Sequence, residues 1–223
     1  LGHTLKDTET LIRRVSLIYL ASLLFVYFLL IIVGVSYYKR NKSLVKEAYF
    51  DFLTGLPNQR YFEKFMLEEI NKERNQKELP NRALIMVNCF NFQLINLSYG
   101  YQYGDKVLKE MAERLQGLIT ADNCLFRFAA DRFIIYVKNY RLKADLEELG
   151  GKITDVFRQS TPLKNIGVTM GIVEMGGEQW EADRLVKYAS IAVSQVADDD
   201  SEGCCFYDQR MEEKLLREDT IRS

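Results

Sequence analysis

The sequence is poor in residues on which several kinds of chemistry depend. It holds a single histidine, His3, in 223 residues, which leaves no histidine pair for acid–base catalysis or for a histidine-ligated metal. Its four cysteines, Cys89, Cys124, Cys204 and Cys205, show no zinc-type spacing. In apolar, strand-like surroundings they read as reduced, small hydrophobes. Net charge is lacking too, with 30 Lys and Arg against 31 Asp and Glu and a formal balance of −1. Such a chain carries no electrostatic footprint for DNA or RNA, so nucleic acid is not expected as a partner. The phosphate-binding patterns G-x-x-x-x-G-K-[ST] and G-x-G-x-x-G are also absent.

What is present begins with "VSLIYLASLLFVYFLLIIVGVSYY", Val15–Tyr38, 24 residues without a charge. As a helix rising 1.5 Å per residue it would be roughly 36 Å long, enough to cross a ~30 Å hydrocarbon layer with some tilt. It is too long for the apolar part of a signal peptide and lacks the polar face of a core helix. Lys39, Arg40, Lys42 and Lys46 follow the span, against Lys6, Arg13 and Arg14 before it. The positive-inside rule therefore places the C-terminal side in the cytoplasm, by about one charge. Residues 1–14 are then expected to be an extracytoplasmic stub and 39–50 a helical linker leaving the membrane.

After the linker, apolar spacings alternate between the two periods. Asn58–Arg74 places Tyr61, Phe62, Phe65, Met66 and Ile70 on one helical face, with Pro57 at its entrance. "RALIMVNCF" (Arg82–Phe90) reads as a strand. Asp105–Ile119 reads as a helix with Val107, Leu108, Met111, Leu115 and Leu118 inward. "FRFAADRFIIYV" (Phe126–Val137) is a hairpin whose tip is Ala129-Ala130-Asp131-Arg132. A helix over Leu142–Phe157, the strand "IGVTMGIVEM", a helix over Ala182–Val196, the short strand "GCCFYD" and a charged helical tail complete the chain. A hairpin among helical connections predicts a mixed sheet and an α+β domain, with neither an all-parallel sheet nor a Rossmann topology.

Three stretches carry a family resemblance. "DFLTGLPNQRYF" (Asp51–Phe62) resembles the D-x-L-T-G-L-P-N-R-R-x-F entry of GGDEF domains, the diguanylate cyclase family. "VNCFNFQLINLSYGYQYGDKVLKEMAERL" (Val87–Leu115) is similar to that family's D-x-D-x-F-K-x-I-N-D-x-x-G-H-x-x-G-D stretch. "RFAADRF" (Arg127–Phe133) falls where the G-G-D/E-E-F hairpin belongs. The order and intervals of all three assign residues 51–208 to the family. The resemblance implies a palm-like mixed sheet flanked by helices, and a reaction in which two GTP molecules condense to cyclic di-GMP across a homodimer, assisted by divalent cations.

Carried over position by position, the resemblance implies a degenerate site. The metal-binding aspartate at the end of the first strand is Asn88. The signature itself reads Ala129, Ala130, Asp131, Arg132, Phe133: the metal-binding acid Asp131 is kept, while Arg132 stands in place of a glutamate. A Cβ on each alanine restricts positive φ and crowds the approach to phosphate. The guanine-contacting pair corresponds to Asn96 and Asp105, both kept, and helix capping is the other role open to these residue types. Gln93 replaces a phosphate-side lysine. The late basic segment is replaced by "VADDDSEG", with Asp198, Asp199, Asp200 and Glu202, and the R-x-x-D product-inhibition motif by Thr120–Asn123.

These departures predict a domain inactive as a cyclase. The expectation is a protein of the bacterial inner membrane, anchored by Val15–Tyr38, with its GGDEF domain in the cytoplasm. That domain would serve as a regulatory, GTP-binding module, Mg²⁺ accompanying the nucleotide at Asp131. Residues 209–223 resemble a linker to an EAL domain, the cyclic di-GMP phosphodiesterase partner of many GGDEF domains. A ligand-free dimerisation module relaying a transmembrane signal, or a weakly active cyclase, are the other readings the residues leave open.

Overall fold

The structure, a computed structural model, describes residues 2–73, 80–90, 92–159, 166–175, 180–198 and 203–222. It divides into two compact units, Leu1–Ala48 and Tyr49–Ser223. The first is one continuous helix, α1 (Gly2–Tyr49), which runs through the expected stub, span and linker without a break. Its apolar side chains from Ile12 to Tyr38 are exposed on every side, and Ile12–Tyr49 is long and apolar enough to cross a membrane. A soluble helix would hide such a surface against a core.

In the second unit the chain runs α2 (Gln59–Glu73), β1 (Arg82–Phe90), α3 (Phe92–Tyr99), α4 (Tyr101–Gly117), β2 (Asn123–Ala129), β3 (Arg132–Lys138), α5 (Lys143–Gln159), β4 (Gly167–Met175), α6 (Ala182–Asp198), β5 (Gly203–Phe206) and α7 (Gln209–Arg222). The five strands form one sheet in the order β2-β3-β1-β4-β5. All pairs are antiparallel except β4 with β5. The sheet is therefore mixed, as the hairpin required.

The central strand β1 is apolar along nearly its whole length because both of its faces are covered. Ala83, Ile85, Val87 and Cys89 join the core beneath α3, α4 and α5, while Leu84 and Met86 join the core beneath α2 and α6. On that second face Phe62 stacks edge-on against Phe126 at 5.3 Å, and Phe65 meets Tyr136 at 5.1 Å. The apolar residues flanking the hairpin tip are thus the floor on which α2 lies. Each buried aromatic of this kind contributes roughly 1.5–3 kcal/mol.

Two expectations shift. The helix expected from Asp105 begins at Tyr101, and the separate short α3 precedes it. Along α2, Ile70 is half-buried, and Glu69 is the residue carried inside, held by Lys72 at 2.8 Å and Lys138 at 3.1 Å. All four cysteines are free thiols. Burial pushes the Cys89 thiol far above its usual range, with the Asp131 carboxylate adding to the effect.

Candidate functional site

The entry motif and the hairpin are tied together by backbone. The Asp51 carboxylate accepts from the Thr54 N–H at 2.8 Å and from its hydroxyl at 2.6 Å, closing the turn in which Gly55 takes φ 73. That turn delivers Pro57, whose carbonyl accepts from the Arg127 N–H at 2.8 Å, and Asn58 bridges to Arg127. Arg127 itself is only 7% exposed. Its guanidinium lies 4.6 Å from the Phe133 ring centre. Burial pulls its pKa down, and the nearby carboxylates of Asp51 and Asp131 oppose that pull. Arg127 was not singled out from the sequence, although a lone cation between Phe126 and Phe128 in an apolar strand was the available signal.

At the tip, Ala129 pairs with Arg132 and a register shift lies between Arg127 and Ala129. Ala130 and Asp131 make the two-residue turn. Ala130 adopts φ 33, a left-handed conformation that side chains other than glycine rarely take. Ala129 has no positive φ because it is still a paired strand residue, so of the two alanines only Ala130 occupies a glycine conformation. The Cys89 N–H donates to the Asp131 carbonyl at 3.1 Å, which fixes the turn beside the end of β1.

Asn88 and Arg132 are register partners across β1 and β3. The Asn88 amide donates to the Thr169 hydroxyl on β4 at 3.4 Å. Mg²⁺ demands a near-octahedral set of hard oxygens, commonly one or two carboxylates plus substrate phosphates. Here Asp131 is the one carboxylate of the tip, its neighbour Arg132 is a cation, and Asn88 is neutral. Among the described residues no group of three His, Cys, Asp or Glu side chains could hold a metal ion. This donor set does not fit a pair of catalytic divalent cations.

Asn96 lies against the residue that precedes Asp105 in the chain. A Cβ built on Gly104 would fall 2.0 Å from Asn96 Oδ1 and 3.2 Å from Phe92 Cζ. Asn96 is therefore packed onto the backbone of the residue immediately before Asp105, and only glycine permits it. Neither side chain caps a helix: Asn96 lies within α3, Asp105 lies within α4, and the N-cap of α4 is Gly100 with no side-chain cap bond. Phe92 also lines a cleft of about 680 Å³, together with Leu53, Leu108, Arg127, Ala129 and Ala130. Gln93 is exposed on α3. Of the acidic run, Asp198 ends α6, while Asp199, Asp200 and Glu202 lie outside the described residues.

A mixed five-stranded sheet, with a hairpin tip beside the central strand and a cleft running from α3 to that tip, is the arrangement expected of a nucleotide-cyclase type of domain. Comparison with known proteins bears this out. Residues 48–202 match the family described as "Diguanylate cyclase, GGDEF domain", and the chain belongs to that family. It is 32% identical over 162 residues to diguanylate cyclase DgcP of Escherichia coli, covering 70% of this chain and 46% of that protein. It is 25% identical over 185 residues to the bifunctional diguanylate cyclase/cyclic di-GMP phosphodiesterase MucR of Pseudomonas aeruginosa, covering 81% of this chain and 26% of that protein. The chain thus spans less than half of either relative. The solved GGDEF domain of TpbB, or YfiN, from Pseudomonas aeruginosa has the same fold, with a TM-score of 0.65 at 21% identity over 75% of this chain and 99% of that one.

Proposed function

We propose that this cyclic di-GMP signalling domain is inactive as a cyclase and works as a GTP-binding regulatory module, anchored in the membrane by α1 and acting on an attached EAL phosphodiesterase. The observation that carries the reading is the split fate of the two halves of the site. Asn96 and Asp105 keep their types, Asn96 packs on Gly104 next to Asp105 in the chain, and neither side chain makes a hydrogen bond or ion pair among the described residues. The chemistry at the hairpin is changed at four places, Asn88, Ala129, Ala130 and Arg132, leaving Asp131 as the one acidic position for a cation.

Guanine contacts without turnover suit a ligand that is bound and not consumed. Such a ligand shifts an equilibrium by its differential affinity for two states, and a coupling of ~1–3 kcal/mol changes the downstream output about 5- to 150-fold. The MucR likeness supports an EAL partner, since the name of that protein joins both activities, and a homodimer is the assembly this family reading implies.

GTP titration by calorimetry, with Asn96→Ala and Asp105→Ala alongside, tests the reading. Binding that both substitutions weaken by tenfold or more supports it. Binding unchanged in both rejects this site, and no binding at all favours the ligand-free dimerisation module. Phosphodiesterase activity of the longer protein across the same titration then tests the regulatory step.

A further inference from the structure

We infer that Arg132 takes the place of a metal ion at this site, so that the phosphates of a guanine nucleotide are held by a guanidinium and binding needs no divalent cation. This role presupposes the guanine-binding reading above and says how the other end of the same ligand is gripped.

Arg132 opens β3, where it pairs with Asn88 of β1 on one side and Ala129 of β2 on the other. It therefore stands where the ends of three adjacent strands meet. It is exposed, and its side chain makes no ion pair or hydrogen bond among the described residues. The cross-strand neighbour offers no negative charge, since Asn88 is neutral and its N–H is turned to Thr169. Asp131 is a lone carboxylate with a cation next to it in sequence. A divalent ion arriving here meets one anionic side chain and one fixed positive charge, and too few oxygens to replace its water.

The same arrangement suits a phosphate. A guanidinium is always charged, is weakly hydrated, and presents a fork that gives two parallel N–H···O bonds to phosphate oxygens. The metal that would be recruited from solution is replaced by a cation attached to the chain. A second cation lies beneath the same tip. Arg127 lines the cleft with Ala129 and Ala130, is nine-tenths buried, and its Nη1 has no hydrogen-bond partner. Asp51 and Glu63 line that cleft as well and offset Arg127, so the grip on phosphate falls to Arg132 itself.

The full chain in detergent micelles, titrated calorimetrically with GTP and with guanosine, in magnesium and in EDTA, tests this. The GTP affinity should differ by less than about twofold between magnesium and EDTA, and GTP should bind ~10- to 100-fold more tightly than guanosine, as bonds to a charged group imply. Arg132→Ala should remove that advantage and leave guanosine binding as it was, which also reports that the variant is folded. Arg132→Lys should keep part of it. GTP binding that weakens tenfold or more in EDTA would overturn the role of Arg132 and leave the guanine reading standing. Equal loss of GTP and guanosine affinity in Arg132→Ala would overturn it too, making the residue structural. Binding of neither ligand under any condition removes the guanine reading and this role together.

Discussion

Asn88 and Arg132 face each other across β1 and β3, an amide opposite a guanidinium at the ends of two paired strands. On the proposed reading, in which Asn88 and Arg132 stand in for two acids, the pairing places both changes side by side at one locus. Metal charge stabilisation is worth several kcal/mol, and each ~1.4 kcal/mol is tenfold in rate. Purified protein given GTP with Mg²⁺ or Mn²⁺ should make cyclic di-GMP at least about a thousandfold more slowly than ~1 per second. Product accumulation near that ordinary enzymic rate would show the site to be active.

Ala130 takes a left-handed φ of 33 at the hairpin tip, while Ala129 sits in the ladder. A Cβ in that conformation costs roughly 1–2 kcal/mol, part of which a glycine gives back through the entropy of the unfolded chain. Ala130→Gly should therefore raise the unfolding free energy by about 0.5–1 kcal/mol, and Ala129→Gly should lower it by a similar amount. Urea unfolding of the two variants distinguishes them; equal effects of one sign would contradict the turn geometry.

Gly171 lets β4 and α6 touch backbone to backbone. A Cβ there would lie 2.1 Å from the Ala189 carbonyl and 2.9 Å from the Val193 nitrogen. Neither atom belongs to a flexible side chain, so the helix must move. Gly171→Ala should cost about 1–3 kcal/mol, read as a lower denaturation midpoint. A midpoint unchanged from the parent would mean that α6 sits further from the sheet.

Glu69 titrates against its surroundings. Burial alone would push its pKa up, and the hydrogen bonds and charges of Lys72 and Lys138 together outweigh that, leaving it below the usual 4.5. A carboxyl whose folded pKa is depressed adds stability that is fully present above the unfolded value. That stability is lost as pH falls through the folded pKa. Glu69→Gln should cost about 1–2 kcal/mol at neutral pH. The gap in melting temperature between parent and variant should close as pH falls below about 4.5. A gap that stays constant to low pH would remove the ion pair from the account.

If α1 spans a membrane as proposed, Lys39, Arg40, Lys42 and Lys46 after its apolar part, against Lys6, Arg13 and Arg14 before it, direct residues 49–223 to the cytoplasm by about one charge. Protease added outside spheroplasts should leave residues 49–223 intact and should reach them only after the membrane is opened. Digestion in sealed cells would reverse the topology.

Residues close in sequence were legible because helix and strand periods are local. The apolar run Val15–Tyr38, the strand Arg82–Phe90 and the inward faces of α4 and α5 follow from spacing alone. So did the hairpin, whose tip lies between two apolar runs. The short α3 was not legible: eight residues hold barely two turns of period, and its exposed Leu94 and Leu97 blur the apolar face. Glu69 defeated the same spacing rule because its partner Lys138 lies on another element, sixty-nine positions along the chain.

The sequence by itself determined which residue types occupy the site, since an asparagine at 88 and an arginine at 132 are matters of composition that no fold can alter. Only the tertiary structure decided what they do to one another. Sheet register sets Arg132 against Asn88, the packing of α3 on α4 sets Asn96 against Gly104, and the entry turn buries Arg127 over Phe133. Each of these contacts joins segments that no local period relates. They exist because a closed core admits one alignment of the strands, and a slip of one residue would turn every buried side chain of β1 and β3 to the opposite face.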